Sequence, residues 1–198
     1  MSSEQHVLSR EKNDILHPPG GILIWILIFL EVITFMIALS VFAYMRSRNA
    51  AMFAESQAML NPLLGTVNTI VLLSSGYFMA EAVRKLRAGL LKLSVRYTLV
   101  TILLGLVFIA IKSFEYSQKI EHGIGLEYNT FFTFYWLLTG FHLIHVSVGI
   151  VILVFIYFSL RKGRYDARDH EDVETGAAFW HMCDLIWMLL FPMLYLIN

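Results

Sequence analysis

The sequence predicts an all-α integral membrane protein, a single bundle of five transmembrane helices, and three observations carry that prediction. Apolar residues make up 58 % of the 198 and charged residues only 15 %, where a water-soluble domain has about 45–50 % and about 25 %. The charges lie in clusters between long apolar runs, which is the patterning of a chain that threads a bilayer. Five of those runs reach the ~20 residues that a helix rising about 1.5 Å per residue needs to cross. No soluble domain and no internal repeat interrupts them.

Taken in chain order, a polar tail fills residues 1–21 and ends in His17-Pro-Pro-Gly-Gly21, a helix breaker. The five-span domain then occupies 22–198. The tail is mixed in charge, and the apolar run after it is too long for the core of a signal peptide. The first span covers 22–45. The segment 50–61 is amphipathic and is expected at the membrane surface; Pro62 then opens the second span, 63–83. The third covers 96–117, the fourth 131–160 and the fifth 176–197, with Pro192 expected to bend its end. Short connections make neighbouring spans antiparallel. Ser74-Ser75-Gly76, Gly105, Gly140 and Gly149 are places where small residues let helices approach closely.

Charge sets the orientation and excludes some functions. With the N-terminus inside, the cytoplasmic side holds eleven basic residues: Arg10, Lys12, Arg84, Lys85, Arg87, Lys92, Arg96, Arg161, Lys162, Arg164 and Arg168. The other side holds three, Arg46, Arg48 and Lys119, with Lys112 near the end of a span. The positive-inside rule therefore gives a cytoplasmic N-terminus and a periplasmic C-terminus. A net charge of zero gives no reason to expect nucleic-acid binding. The single cysteine, Cys183, has no partner for an intrachain disulfide and is read as a small apolar packing residue.

Ionisable residues inside a span are costly unless they face protein and find a partner, so they mark the candidate site. Glu31 lies roughly 14 Å into the first span, Asp184 about 12 Å into the fifth and His145 about 20 Å back from Phe158 in the fourth. The three fall within about two helical turns in depth. Glu31 is either a protonatable site or a hydrogen-bonded structural carboxyl. His142 and His145, three apart, share a helix face and are expected to hydrogen-bond to neighbouring helices; with His181 they also form the only set that suggests metal or haem ligation. Trp180, Asp184 and Trp187 form one stripe, facing either a partner subunit or other helices of this chain, and His181 is placed to pair with Asp184. Lys112 with Glu115, and Glu81 with Arg84 and Lys85, are expected to be interfacial pairs whose side chains snorkel to the membrane surface.

Read together, these segments resemble the cytochrome c oxidase subunit III family of the haem-copper oxidases. The Glu31 region looks like that family's acidic helix, whose carboxylate is the target of a carbodiimide. Asn68-Thr-Ile-Val-Leu-Leu-Ser-Ser-Gly76 is similar to its asparagine–threonine to serine–glycine helix, and Glu115-Tyr116 to its glutamate–tyrosine helix end. Thr139-Gly-Phe-His-Leu-Ile-His145 and Trp180-His-Met-Cys-Asp-Leu-Ile-Trp187 are similar to its two histidine signatures. The five motifs come in the family's order from about Gly21 to the C-terminus. The long form of the family has seven helices, so its cleft lipids do not carry over to a five-helix chain. In detail, Ser56-Gln57, Tyr77-Phe78, His181-Met182 and Leu190-Phe-Pro-Met-Leu-Tyr195 look most like the NorE branch, accessory to nitric oxide reductase.

The resemblance implies a non-redox accessory subunit of the prokaryotic cell membrane that packs, among phospholipid, against the catalytic subunit of a haem-copper oxidase or nitric oxide reductase. It would stabilise that subunit and assist proton uptake. Haem and copper or iron are expected only in that partner, with none in this chain. It implies an intramembrane proton or structural site at Glu31, His142, His145, His181 and Asp184, and helix-packing or partner-facing roles for Asn68, Glu115, Trp180 and Trp187. Two other readings compete: a stand-alone membrane metal or haem protein using His142, His145 and His181, and a small transporter coupling protons through Glu31 and Asp184. Against the transporter stands the lack of an inverted repeat or paired broken helices.

Overall fold

The computed structural model describes residues 21–197. The polar tail, with its basic Arg10 and Lys12 and most of its helix breaker, lies outside the described residues. Six α-helices follow: α1 (Ile22–Arg48), α2 (Ala50–Ala58), α3 (Pro62–Arg87), α4 (Leu91–Glu121), α5 (Thr130–Arg161) and α6 (Glu171–Phe191), the last continuing as a π turn, Pro192–Leu196. All but α2 are long and apolar enough to cross a membrane, α6 counted together with its π turn.

Three of the helices begin where local chemistry answers their open N–H groups or dipole. Asn61 caps α3 by accepting from the Leu64 N–H, with Pro62 in the first position, where no donor is lost. Asn129 does the same for α5 through the Phe132 N–H. The first turn of α6 carries Glu171, Asp172 and Glu174, which face the positive end of its dipole. Gly89 and Gly163 end α3 and α5 at φ 74° and 68°, where a side chain would be strained. Each closes the helix with a paired set of bonds, Leu90 N to Lys85 O and Arg164 N to Ser159 O being the longer-range members. Asp166 then folds the α5–α6 loop by accepting from the Arg168 and Asp169 N–H groups at 2.6 and 2.9 Å. Those two bonds hold its carboxyl below the ordinary range.

The helices overrun the predicted spans at nearly every end. Apolar length detects only the part of a helix lying in hydrocarbon, whereas an α-helix satisfies its own backbone and continues into the polar interface. Pro192 does not simply bend α6. It has no N–H for the α-helical ladder, and the chain widens into a π turn closed by Ile197 N to Pro192 O at 2.9 Å.

The most apolar stretch of α6 is 61 % buried and that of α1 only 11 %, so α6 is the axis of the bundle and α1 its outermost stave. α6 packs on α1, α3 and α5, while α3 and α4 form a close antiparallel hairpin. Trp180 of α6 lies in the gap that two glycines leave. A Cβ at Gly105 or Gly149 would stand 2.7 or 2.9 Å from its indole. Gly76 is covered by Asp184. Gly140 departs from expectation: among the described residues no atom beyond its own stretch of helix comes within 4 Å of where its side chain would begin, so it packs none of the helices described.

Candidate functional site

Glu31 and His145 meet between α1 and α5. Glu31 Oε2 stands 3.2 Å from His145 Nε2, with the two side chains 23 % and 11 % exposed. His145 Nδ1 lies 2.8 Å from the Phe141 carbonyl, and the ring packs edge-on against Phe35 and Phe141. A carbonyl only accepts, so Nδ1 carries a hydrogen. The short contact at Nε2 then needs one proton between the ring and the carboxyl. Two arrangements supply it, a carboxylic acid beside a neutral imidazole or a carboxylate beside an imidazolium. Either way the pair holds one proton and is neutral as a whole. Among the described residues Glu31 takes its partner from the fourth span alone.

The fifth span's acid finds a different partner. Asp184 Oδ2 lies 3.3 Å from His181 Nδ1 on the same helix, and the His181 side chain is 44 % exposed. Asp184 Oδ1 is buried with no hydrogen-bond donor among the described residues. His181 lines an apolar groove between α1, α3 and α6 that also carries Trp25 and ends at Arg87 and Glu174. The expected single constellation is therefore two separate His–carboxyl pairs.

His142 corrects a second expectation. It is fully buried, stacked on Trp187 with centroids 5.2 Å apart and edge-on to Phe108. Neither ring nitrogen has a hydrogen-bond partner among the described residues. Residues three apart on a helix still differ by about 60°, and on α5 that angle is enough to part them: His142 turns to α4 and α6, His145 to α1. His142, His145 and His181 thus point to three different places. Among the described residues no three His, Cys, Asp or Glu side chains converge as a ligand set.

The Trp180–Asp184–Trp187 stripe faces the chain's own α3. Trp180 Nε1 donates to Ser75 Oγ at 3.1 Å and Trp187 Nε1 to Thr69 Oγ1 at 2.9 Å. Ser75 in turn donates to the Thr101 carbonyl of α4. Asn68 is buried in the same helix, with neither amide atom bonded among the described residues.

Lys112 and Glu115 do not snorkel. They are 1 % and 3 % exposed and form an ion pair at 3.0 Å, enclosed by Tyr135 and Tyr195. The reason is tertiary: Tyr135 of α5 and Tyr195 beyond α6 close over the pair, and nothing in the sequence of α4 announces them. Glu81 and Arg84 do form a surface pair, at 2.6 Å with Arg84 largely exposed. The sequence also gave no sign of a node at the basic end, where Glu174 Oε1 takes Arg87 at 2.7 Å and His170 at 2.9 Å. His170 and Glu174 stand four apart, but Arg87 lies 87 residues from Glu174, and no spacing links it to them.

The family model for cytochrome c oxidase subunit III matches residues 21–198. The chain is 31 % identical over 134 residues to cytochrome c oxidase subunit 3 of Thermostichus vulcanus, covering 67 % of this chain and 65 % of the relative. It is 33 % identical over 148 residues to that of Synechocystis sp., covering 72 % and 60 %. It is 27 % identical over 174 residues to quinol oxidase subunit 3 of Bacillus subtilis, covering 88 % and 85 %. The match thus spans just under two thirds of the two cytochrome c oxidase relatives and most of the quinol oxidase one.

Proposed function

The chain belongs to the cytochrome c oxidase subunit III family, a multi-pass protein of the prokaryotic cell membrane, and from that premise we propose that it is a non-redox accessory subunit of a respiratory haem-copper enzyme. In this reading it packs among phospholipid against the catalytic subunit, which holds the haem and the copper or iron. It stabilises that subunit and assists its proton uptake, with its N-terminus in the cytoplasm and its C-terminus in the periplasm.

The observation that carries the reading is the Glu31–His145 pair. A carboxyl on the outermost helix 3.2 Å from an imidazole of α5, both part-exposed, suits a group that holds a proton at membrane depth beside a neighbouring subunit. Moving that proton from Glu31 Oε2 to His145 Nε2 turns a neutral pair into an adjacent carboxylate and imidazolium, and the net charge of the pair stays zero. The chain offers no comparable role to His142, whose nitrogens are enclosed by aromatic rings.

Replacing Glu31 tests the role directly. Glu31→Gln keeps the size of the side chain and removes its proton, so the complex should assemble at the wild-type level while its proton uptake slows or its inactivation during turnover changes severalfold. An enzyme unchanged on both counts reduces Glu31 to a structural residue. The substrate of the partner, oxygen or nitric oxide, is the finer question. The NorE-like segments favour nitric oxide, although Ser56, Gln57, Leu190 and Tyr195 are buried within this chain and so reflect how the bundle packs. Pull-down of the tagged chain from native membranes in mild detergent separates the two: recovery of the nitric oxide reductase pair supports the NorE branch, and recovery of an oxidase catalytic subunit supports the oxygen-reducing one. A chain that comes down alone counts against both.

A further inference from the structure

Moving an ammonium and a carboxylate together into a protein interior is costly, and it is tolerated only where hydrogens and lone pairs find partners. Around Lys112 they do. Its three N–H groups reach Glu115 Oε2 at 3.0 Å, the Tyr135 hydroxyl at 3.2 Å and the Tyr195 hydroxyl at 2.7 Å. Both hydroxyls donate onward to Glu115 Oε1, at 2.9 and 2.6 Å. Each tyrosine therefore accepts from the ammonium and donates to the carboxylate, and no hydrogen of the cluster lacks an acceptor. The rings of Tyr116, Tyr135, Trp187 and Tyr195 surround the ammonium, with the nearest centroid 4.7 Å away. The cluster is closed on itself.

Its members come from three elements: Lys112 and Glu115 from α4, Tyr135 from α5, and Tyr195 from the π turn after α6. Tyr195 follows Pro192, where the α-helical ladder of α6 is broken, and the turn beyond has Ile197 N to Pro192 O as its closing bond. A single wide turn at a helix end is weak by itself. The Tyr195 ring also lies over Gly65 of α3, 3.0 Å from where a Cβ would stand, so fixing its hydroxyl fixes a ring that reaches a fourth element.

We infer that the Lys112–Glu115 cage is a clamp that fixes the C-terminal π turn against the third and fourth spans. The path of the chain after Pro192 is set by the pair on α4, and the clamp contributes placement more than stability. Apolar residues of similar volume can replace a satisfied buried ion pair with little loss of stability, whereas removing one partner strands the other charge.

Hydrogen exchange of the full chain in mild detergent, read by mass spectrometry over 193–197 and over α6, tests the clamp. Tyr195→Phe keeps the ring and removes the hydroxyl; it should speed exchange in 193–197 at least ~10-fold and leave α6 unchanged, the signature of a local opening. The double variant Lys112→Met/Glu115→Leu should melt within a few degrees of wild type and show the same local release. Lys112→Met alone should lower the Tm by about 10 °C. If that variant does not fold, the other two still decide. Wild-type exchange over 193–197 in both Tyr195→Phe and the double variant would overturn the clamp, as would a native turn that already exchanges at the rate of free chain.

Discussion

At Gly105 and Gly149 the missing side chains give Trp180 its place, and Trp180 in turn reaches Ser75. Large and small residues are complementary here, so adding one methyl forces the indole or a helix to move. Gly105→Ala should destabilise the isolated chain by about 1–3 kcal/mol. Gly140→Ala, in mid-helix with no other helix near it among the described residues, should instead stabilise the chain by about 0.5–1 kcal/mol. Thermal unfolding of both variants in the same detergent checks the contrast, and equal losses would refute the packing account. The same scale explains the histidines. Sequence placed His142 and His145 on one face; the bundle gave one an aromatic stack and the other a carboxyl, because the residues on neighbouring helices differ.

Among the elements, α2 has only nine residues, too few to be stable in isolation. It is held by Phe53, packed edge-on to Phe42 and Phe131, and by Asn129 Nδ2 donating to Ser56 Oγ at 2.8 Å. Asn129 also caps α5, so one side chain starts a spanning helix and ties the short α2 to it. Asn129→Ala should cost about 1–2 kcal/mol and speed hydrogen exchange through 50–58. A loss of stability with no change in α2 would confine Asn129 to its capping role. The surface placement expected of this segment follows from its amphipathic pattern, but its anchor does not, because Asn129 lies 73 residues from Ser56 in the chain.

For the whole molecule, the order of burial organises function. α6 is the axis and carries the tryptophans that bind the helices together, whereas α1 is attached at the edge and carries Glu31. In the proposed reading the proton-holding pair thus sits where a neighbouring subunit can approach without disturbing the core. The orientation is testable at this scale. A phosphatase fused to the C-terminus should be active, and a fluorescent protein fused to the N-terminus should fold and fluoresce in the cytoplasm; the reverse pattern would sink the assignment. The five spans and the order of the motifs were legible in the sequence because hydrocarbon length and helical periodicity are local properties, written in consecutive residues. Which polar residues pair was not, since pairing depends on depth and azimuth across helices far apart in sequence. Tertiary packing alone joined Glu31 to His145, separated both from Asp184, turned the tryptophan stripe inward, and buried Lys112 and Glu115 beneath Tyr135 and Tyr195. The physical reason is that a charge within a span must be satisfied by whatever its neighbours present at that depth, and only the folded bundle determines which neighbours those are.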